Sequence, residues 1–177
     1  MKRILIAGIG NIFHGDDAFG VEVLRRLEPV ELPPAVHAAD FGIRCYDLAY
    51  AMAEGYDTVI FVDAATQGGK PGTIYLNELD PDKLSGLGPD EVATAGHSLT
   101  PAAVLQMARL FEFKPNRVYL VGCEPATLES EEGYMELSPE VASAIPQAVE
   151  TICSLVNNLL EGGVEQNEKS GLAEAWR

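Results

Sequence analysis

Three short runs of nearly unbroken apolar residues, at positions 4–7, 58–62 and 117–121, constrain the fold of this chain more than any other feature. A strand with one wet face alternates apolar and polar residues. A continuous, β-branched run is instead buried on both faces, as in a parallel sheet between two layers of helices. The intervening segments supply those helices. Val21, Val23, Leu24 and Leu27 form an apolar stripe after the first run. Residues 46–54 place Leu48, Ala49 and Met52 on one face and stop at Gly55. Residues 36–41 read as another strand. Residues 73–79 alternate and follow the third strand after one turn, Gly68-Gly69-Lys70-Pro71-Gly72, which predicts an antiparallel edge strand. Residues 80–92 read as an irregular loop. Ser98 or Thr100 is expected to cap a helix that starts at Pro101 and carries the stripe Val104, Leu105, Ala108, Leu110 and Phe111. Ser138 opens the last helical region, which Pro146 is expected to kink or split. The order predicts a single-domain, three-layer α/β fold over residues 1–160, with a mostly parallel twisted sheet of about five strands and helices on both faces. Residues 161–177 are expected to be a flexible polar tail.

Charge excludes several classes of function. The formal net charge is −15, and only 12 lysines and arginines are spread over 177 residues. A nucleic-acid groove needs clustered cations, and an anionic membrane surface repels such a chain. No apolar run approaches the roughly 20 residues needed to span a bilayer. Met1-Lys2-Arg3 leads directly into the first strand with no separate apolar core and cleavage site, so export is not expected. Cys45, Cys123 and Cys153 are odd in number and match no zinc spacing, so they are expected to be buried free thiols in a reducing cytoplasm. A monomer is expected.

Chemistry concentrates in the loop GIGNIFHGDD, residues 8–17. Gly8 and Gly10 allow a sharp turn and close approach of another group. A dinucleotide fingerprint would need a third glycine where Phe13 stands, and the pair Asp16-Asp17 would repel a pyrophosphate. Asp40 and Asp63 also end strands. Singly, each aspartate has a structural explanation as a helix cap or loop brace. In a parallel sheet, however, these loops share one edge. His97, in the loop before a helix, should open on that edge too. Two carboxylates and an imidazole there suit a divalent transition metal such as Ni, Zn, Fe or Cu. His14 is expected to be peripheral and His37 structural. No G-x-S-x-G or H-E-x-x-H motif is present, so a hydrolase built on this chain would be metal- or substrate-assisted.

The segments GIGNIFHGDDAFGV, VIFVDA, GHSLT and YLVGCEP followed by Leu128-Glu129, in that order over about residues 3–160, resemble the hydrogenase maturation endopeptidases. The resemblance implies a nickel-dependent protease that trims the C-terminal extension of a [NiFe] hydrogenase large-subunit precursor once nickel is inserted. The cut would follow a His or Arg beyond the precursor's last metal-binding cysteine motif. It implies Asp17, Asp63 and His97 as metal ligands and catalytic residues, with nickel supplied by the substrate. Asp16 would stand beside them as a supporting, substrate-side residue. A recognition segment after the second strand corresponds to Asp40, Gly42 and Arg44. The segment departs from the family pattern D-G-G-T-x-G elsewhere, which implies a distinct hydrogenase subgroup. A non-catalytic metallochaperone that checks nickel insertion would use the same three ligands.

Overall fold

The computed structural model describes residues 2–82, 100–128 and 136–162. Five strands form one sheet: β1 (Ile4–Ile9), β2 (Val36–Gly42), β3 (Thr58–Ala64), β4 (Ile74–Leu79) and β5 (Arg117–Cys123). Their order is β2-β1-β3-β5-β4, with every pairing parallel except β4 on β5. The expected antiparallel edge strand is therefore β4. The helices are α1 (Phe19–Leu27), α2 (Cys45–Ala53), α3 (Pro101–Leu110) and α4 (Pro139–Glu161).

Strand periodicity divides the core in two. Ile4, Ile6, Ile60, Val62 and Val121 face α1 and α4, packing on Phe19, Leu27, Val141 and Ile152. Leu5, Ala7, Val59, Phe61 and Leu120 face α2 and α3, packing on Leu48, Met52, Val104 and Ala108. Each fully buried side chain of this size contributes about 1.5–3 kcal/mol of burial free energy. All residues of β1 and β3 are buried, which is why their sequences do not alternate.

Several expectations need correction. Pro146 does not split the last helical region: α4 runs unbroken through it for 23 residues, with Pro146 on the exposed side. Leu110 and Phe111 do not belong to the buried stripe of α3, being 79% and 36% exposed. All three cysteines are free, but only Cys123 is fully buried; Cys45 and Cys153 are half-buried. Thr100 is the cap of α3, accepting from the Ala103 amide at 3.2 Å. Most of the loop at 80–92, His97 and all but the first two residues of the expected tail lie outside the described residues. Among the described residues, no helix is long and apolar enough to cross a membrane.

Candidate functional site

The loop leaving β1 is folded on itself by its glycines. Gly10 has φ +128°, and a Cβ there would stand 1.8 Å from the carbonyl oxygen of Asp17. Only glycine fits such a closure. The Asn11 carboxamide oxygen accepts from the Phe13 amide at 3.0 Å, and the Asn11 amide donates to Asp17 Oδ2 at 2.7 Å. A 3-10 turn, Gly15–Ala18, then carries both aspartates into α1. Neither aspartate caps α1, whose N-cap position is Ala18 and has no side-chain cap. The helix also begins two residues earlier than its apolar stripe suggested.

The adjacent aspartates face different environments. Asp16 is fully buried. Its Oδ2 accepts from the amides of Ala126 at 2.8 Å and Thr127 at 3.1 Å, and its Oδ1 from the Ser138 amide at 2.7 Å. This carboxylate therefore fastens the exit of β5 and the cap of α4 to the first loop. The direct substrate contact expected of Asp16 does not fit a side chain enclosed in this way. Asp17 is only partly buried.

Asp63 lies inside β3 rather than after it, opposite Gly122 of β5, and is 5% exposed. Burial, and then the charge of Asp17, push its carboxyl well above the usual aspartate range, against a smaller pull from the Ala64 amide. These two acids are therefore electrostatically coupled, as expected of residues drawn to one sheet edge. His97 lies outside the described residues. Among the described residues, no three His, Cys, Asp or Glu side chains form a metal-sized group.

The raised carboxyl has a consequence for stability. Between the unfolded pKa of about 3.9 and the higher folded pKa, the native state keeps a proton that the unfolded chain has lost. Stability from this residue therefore falls as pH rises through that window. Asp63→Asn should raise the melting temperature at neutral pH, and the gain should vanish below about pH 3.9. Calorimetry of both proteins from pH 3 to pH 8 measures this. A variant that melts at or below the wild type at pH 7 would contradict it.

The second-strand segment borders the same edge. The Gly10 amide donates to the Gly42 carbonyl at 3.1 Å, joining the two loops, and Gly42 has φ +53°. Asp40 is exposed. Arg44 folds its guanidinium back onto the carbonyls of Phe41 and Asp40 and lies 3.8 Å from Asp47. Of the other histidines, His14 is exposed in the first loop, and His37 Nδ1 lies 2.8 Å from the Tyr56 hydroxyl.

Two supporting residues escaped the sequence reading. Glu124, 5% exposed, accepts from the Gln67 amide at 2.7 Å, the Gly68 amide at 3.3 Å and the Tyr75 hydroxyl at 2.8 Å. Burial alone would raise its carboxyl, but these donors together hold it below the usual glutamate range. It braces the loop between β3 and β4. Gly20 lets α1 rest on the sheet: a Cβ there would lie 2.1 Å from the Val62 carbonyl oxygen and 2.3 Å from that of Ile9. It is the close-packing glycine that the first loop lacks at Phe13.

A three-layer α/β domain with an open, mostly parallel sheet and no G-x-S-x-G motif defines an α/β protein distinct from hydrolases built on a nucleophile elbow. The chain belongs to the hydrogenase maturation protease family, whose sequence model matches residues 21–155. It is therefore a peptidase by family. It is 33% identical over 165 residues to the hydrogenase 2 maturation protease of Escherichia coli, covering 92% of this chain and 94% of the relative. The solved structure of the hydrogenase maturating endopeptidase HybD from E. coli superposes with a TM-score of 0.66 at 29% identity, covering 92% of this chain and 95% of that one. The [NiFe] hydrogenase maturation protease HycI of Thermococcus kodakarensis gives 0.63 at 30% identity, covering 89% and 94%.

Proposed function

We propose that this protein removes the C-terminal extension of a [NiFe] hydrogenase large-subunit precursor in the cytoplasm, after nickel has been inserted. In this reading Asp17, Asp63 and His97 engage the nickel carried by the precursor. The coupling of Asp63 to Asp17 carries the proposal. A buried carboxyl beside a second acid is poorly solvated and repelled when ionised, and an arriving divalent cation relieves both penalties. The pair thus favours a substrate that brings its own positive charge. Asp40, Gly42 and Arg44 would bound the path of the precursor's peptide, with Asp40 offering an exposed carboxylate and Arg44 shaping the turn. Bound nickel would polarise the scissile carbonyl or orient water. We favour one of the two carboxylates, oriented by the metal, as general base.

The test is incubation with nickel-loaded and nickel-free precursor, followed by mass spectrometry. Loss of the extension from the loaded form alone is expected. Tight binding with no cleavage would replace the protease with a metal-insertion checkpoint. Asp17→Ala, Asp63→Ala and His97→Ala should each stay folded and lose at least about 100-fold in processing, more than the 10–100-fold typical of residues that only orient metal ligands. Normal processing by all three would remove the site assignment.

A further inference from the structure

Among the described residues, eight large hydrophobic side chains are exposed, and five of them fall on one line. Phe13, 56% exposed, stands in the first loop. Ile43, 65% exposed, directly follows Gly42, which the Gly10 amide ties to that loop. Tyr46 and Tyr50, 67% and 60% exposed, continue the line on the outer face of α2, where residues four apart are neighbours. The Tyr50 ring then meets Phe111 at the end of α3, with centroids 4.4 Å apart. Phe111 is followed by Glu112 at φ +58°, the only non-glycine residue in left-handed backbone among those described. A chain end optimised only for stability would place glycine there and bury the ring.

Such a strip needs an occupant, and the site fixes which one. A protease of this family acts on a protein. Any protein whose scissile end reaches Asp17 and Asp63 must lay its body on the surface that borders their sheet edge. The strip begins at that border and runs down one flank. Its five side chains are themselves uncharged, and the charges beside them are the Arg44–Asp47 pair and the exposed Asp40 and Glu112. Exposed tyrosines suit such contacts, since they bring large area with few rotatable bonds.

We propose that Phe13, Ile43, Tyr46, Tyr50 and Phe111 form the docking surface for the folded body of the precursor, so that recognition rests on this flank as well as on the metal. This rests on the proposed processing reaction. The test compares wild type, Tyr46→Ser/Tyr50→Ser and, as a control on the opposite edge strand, Leu76→Ser. Steady-state processing of nickel-loaded precursor should show KM raised about tenfold or more in the double variant, as expected for losing interface anchors. Its kcat and melting temperature should be near those of wild type, and Leu76→Ser should be unaffected. An unchanged KM overturns the proposal. A lowered melting temperature with unchanged KM does so too, because the strip would then be covered by this chain's own residues. Should the double variant not fold, Tyr46→Ser alone gives the same readout. Should wild type fail to process, the reaction proposed above fails, and direct binding of the precursor decides the surface: equal affinity for wild type and variant overturns it.

Discussion

Gly20→Ala is expected to destabilise the folded protein by about 3 kcal/mol or more, at or beyond the upper end of ordinary overpacking. The new methyl would meet backbone rather than flexible side chains. Val62 and Ile9 carbonyl oxygens stand 2.1 and 2.3 Å from it, and the Ile9 nitrogen 2.8 Å. To relieve the clash, α1 must lift from β1 and β3, opening the packing of Phe19, Val23 and Leu24. Alanine's better helix propensity returns only about 1 kcal/mol. Since domains of this size are stable by roughly 5–15 kcal/mol, the urea midpoint should fall by a large fraction of its value. Gly55→Ala is the contrast: its φ is +89° but nothing lies within 4 Å of the added carbon. Its cost should be confined to backbone strain, about 1 kcal/mol. Equal midpoints for Gly20→Ala and wild type would show that the close approach is not rigid.

The next largest effect is expected at Asp16. Asp16→Ala strands the amides of Ala126, Thr127 and Ser138 around a fully buried position. Each unsatisfied buried donor costs about 1–3 kcal/mol. Ala126 and Thr127 are exposed and Ser138 half-buried, so water would recover much of that, leaving a net loss of about 1–3 kcal/mol. Asp16→Asn keeps the shape but turns one acceptor into a donor that faces another donor, so it should restore stability only in part. Amide hydrogen exchange provides the local readout: Ala126, Thr127 and Ser138 should lose protection in both variants before the strands do. Protection unchanged in Asp16→Ala would mean that other groups hold this junction.

The strands were legible because a parallel sheet buried on both faces leaves continuous apolar runs, and β4 because its short connection permits no crossover. The convergence of Asp17 and Asp63 followed from the same rule, since loops after parallel strands open on one edge. Other features depend on packing that no local pattern records. Leu110 and Phe111 continue the spacing of the α3 stripe, yet the helix ends at Leu110 and both side chains stay exposed, Phe111 against the Tyr50 ring. Asp16 and Asp17 are chemically alike and adjacent, and only the 3-10 turn sends one inward to backbone amides. Gly20 carried a faint signal, as a glycine inside an otherwise good helix. Glu124 carried none, because its partners lie some 50 residues away in the chain.

The hydrogen bonds of Asp16 also bear on how this protein is made. Its partners follow it by 110 to 122 residues, and β1 pairs with β2 and β3 on either side. A ribosome must therefore have synthesised the chain past Ser138, and released that stretch from its tunnel, before the first loop can close. Asp16 is translated well before these partners, so its junction closes only with the long-range contacts that are slowest to form. A nascent or truncated chain lacking α4 would carry Asp17 and Asp63 without this junction to hold them. Under the proposed assignment, such a chain would process no precursor until the whole domain exists.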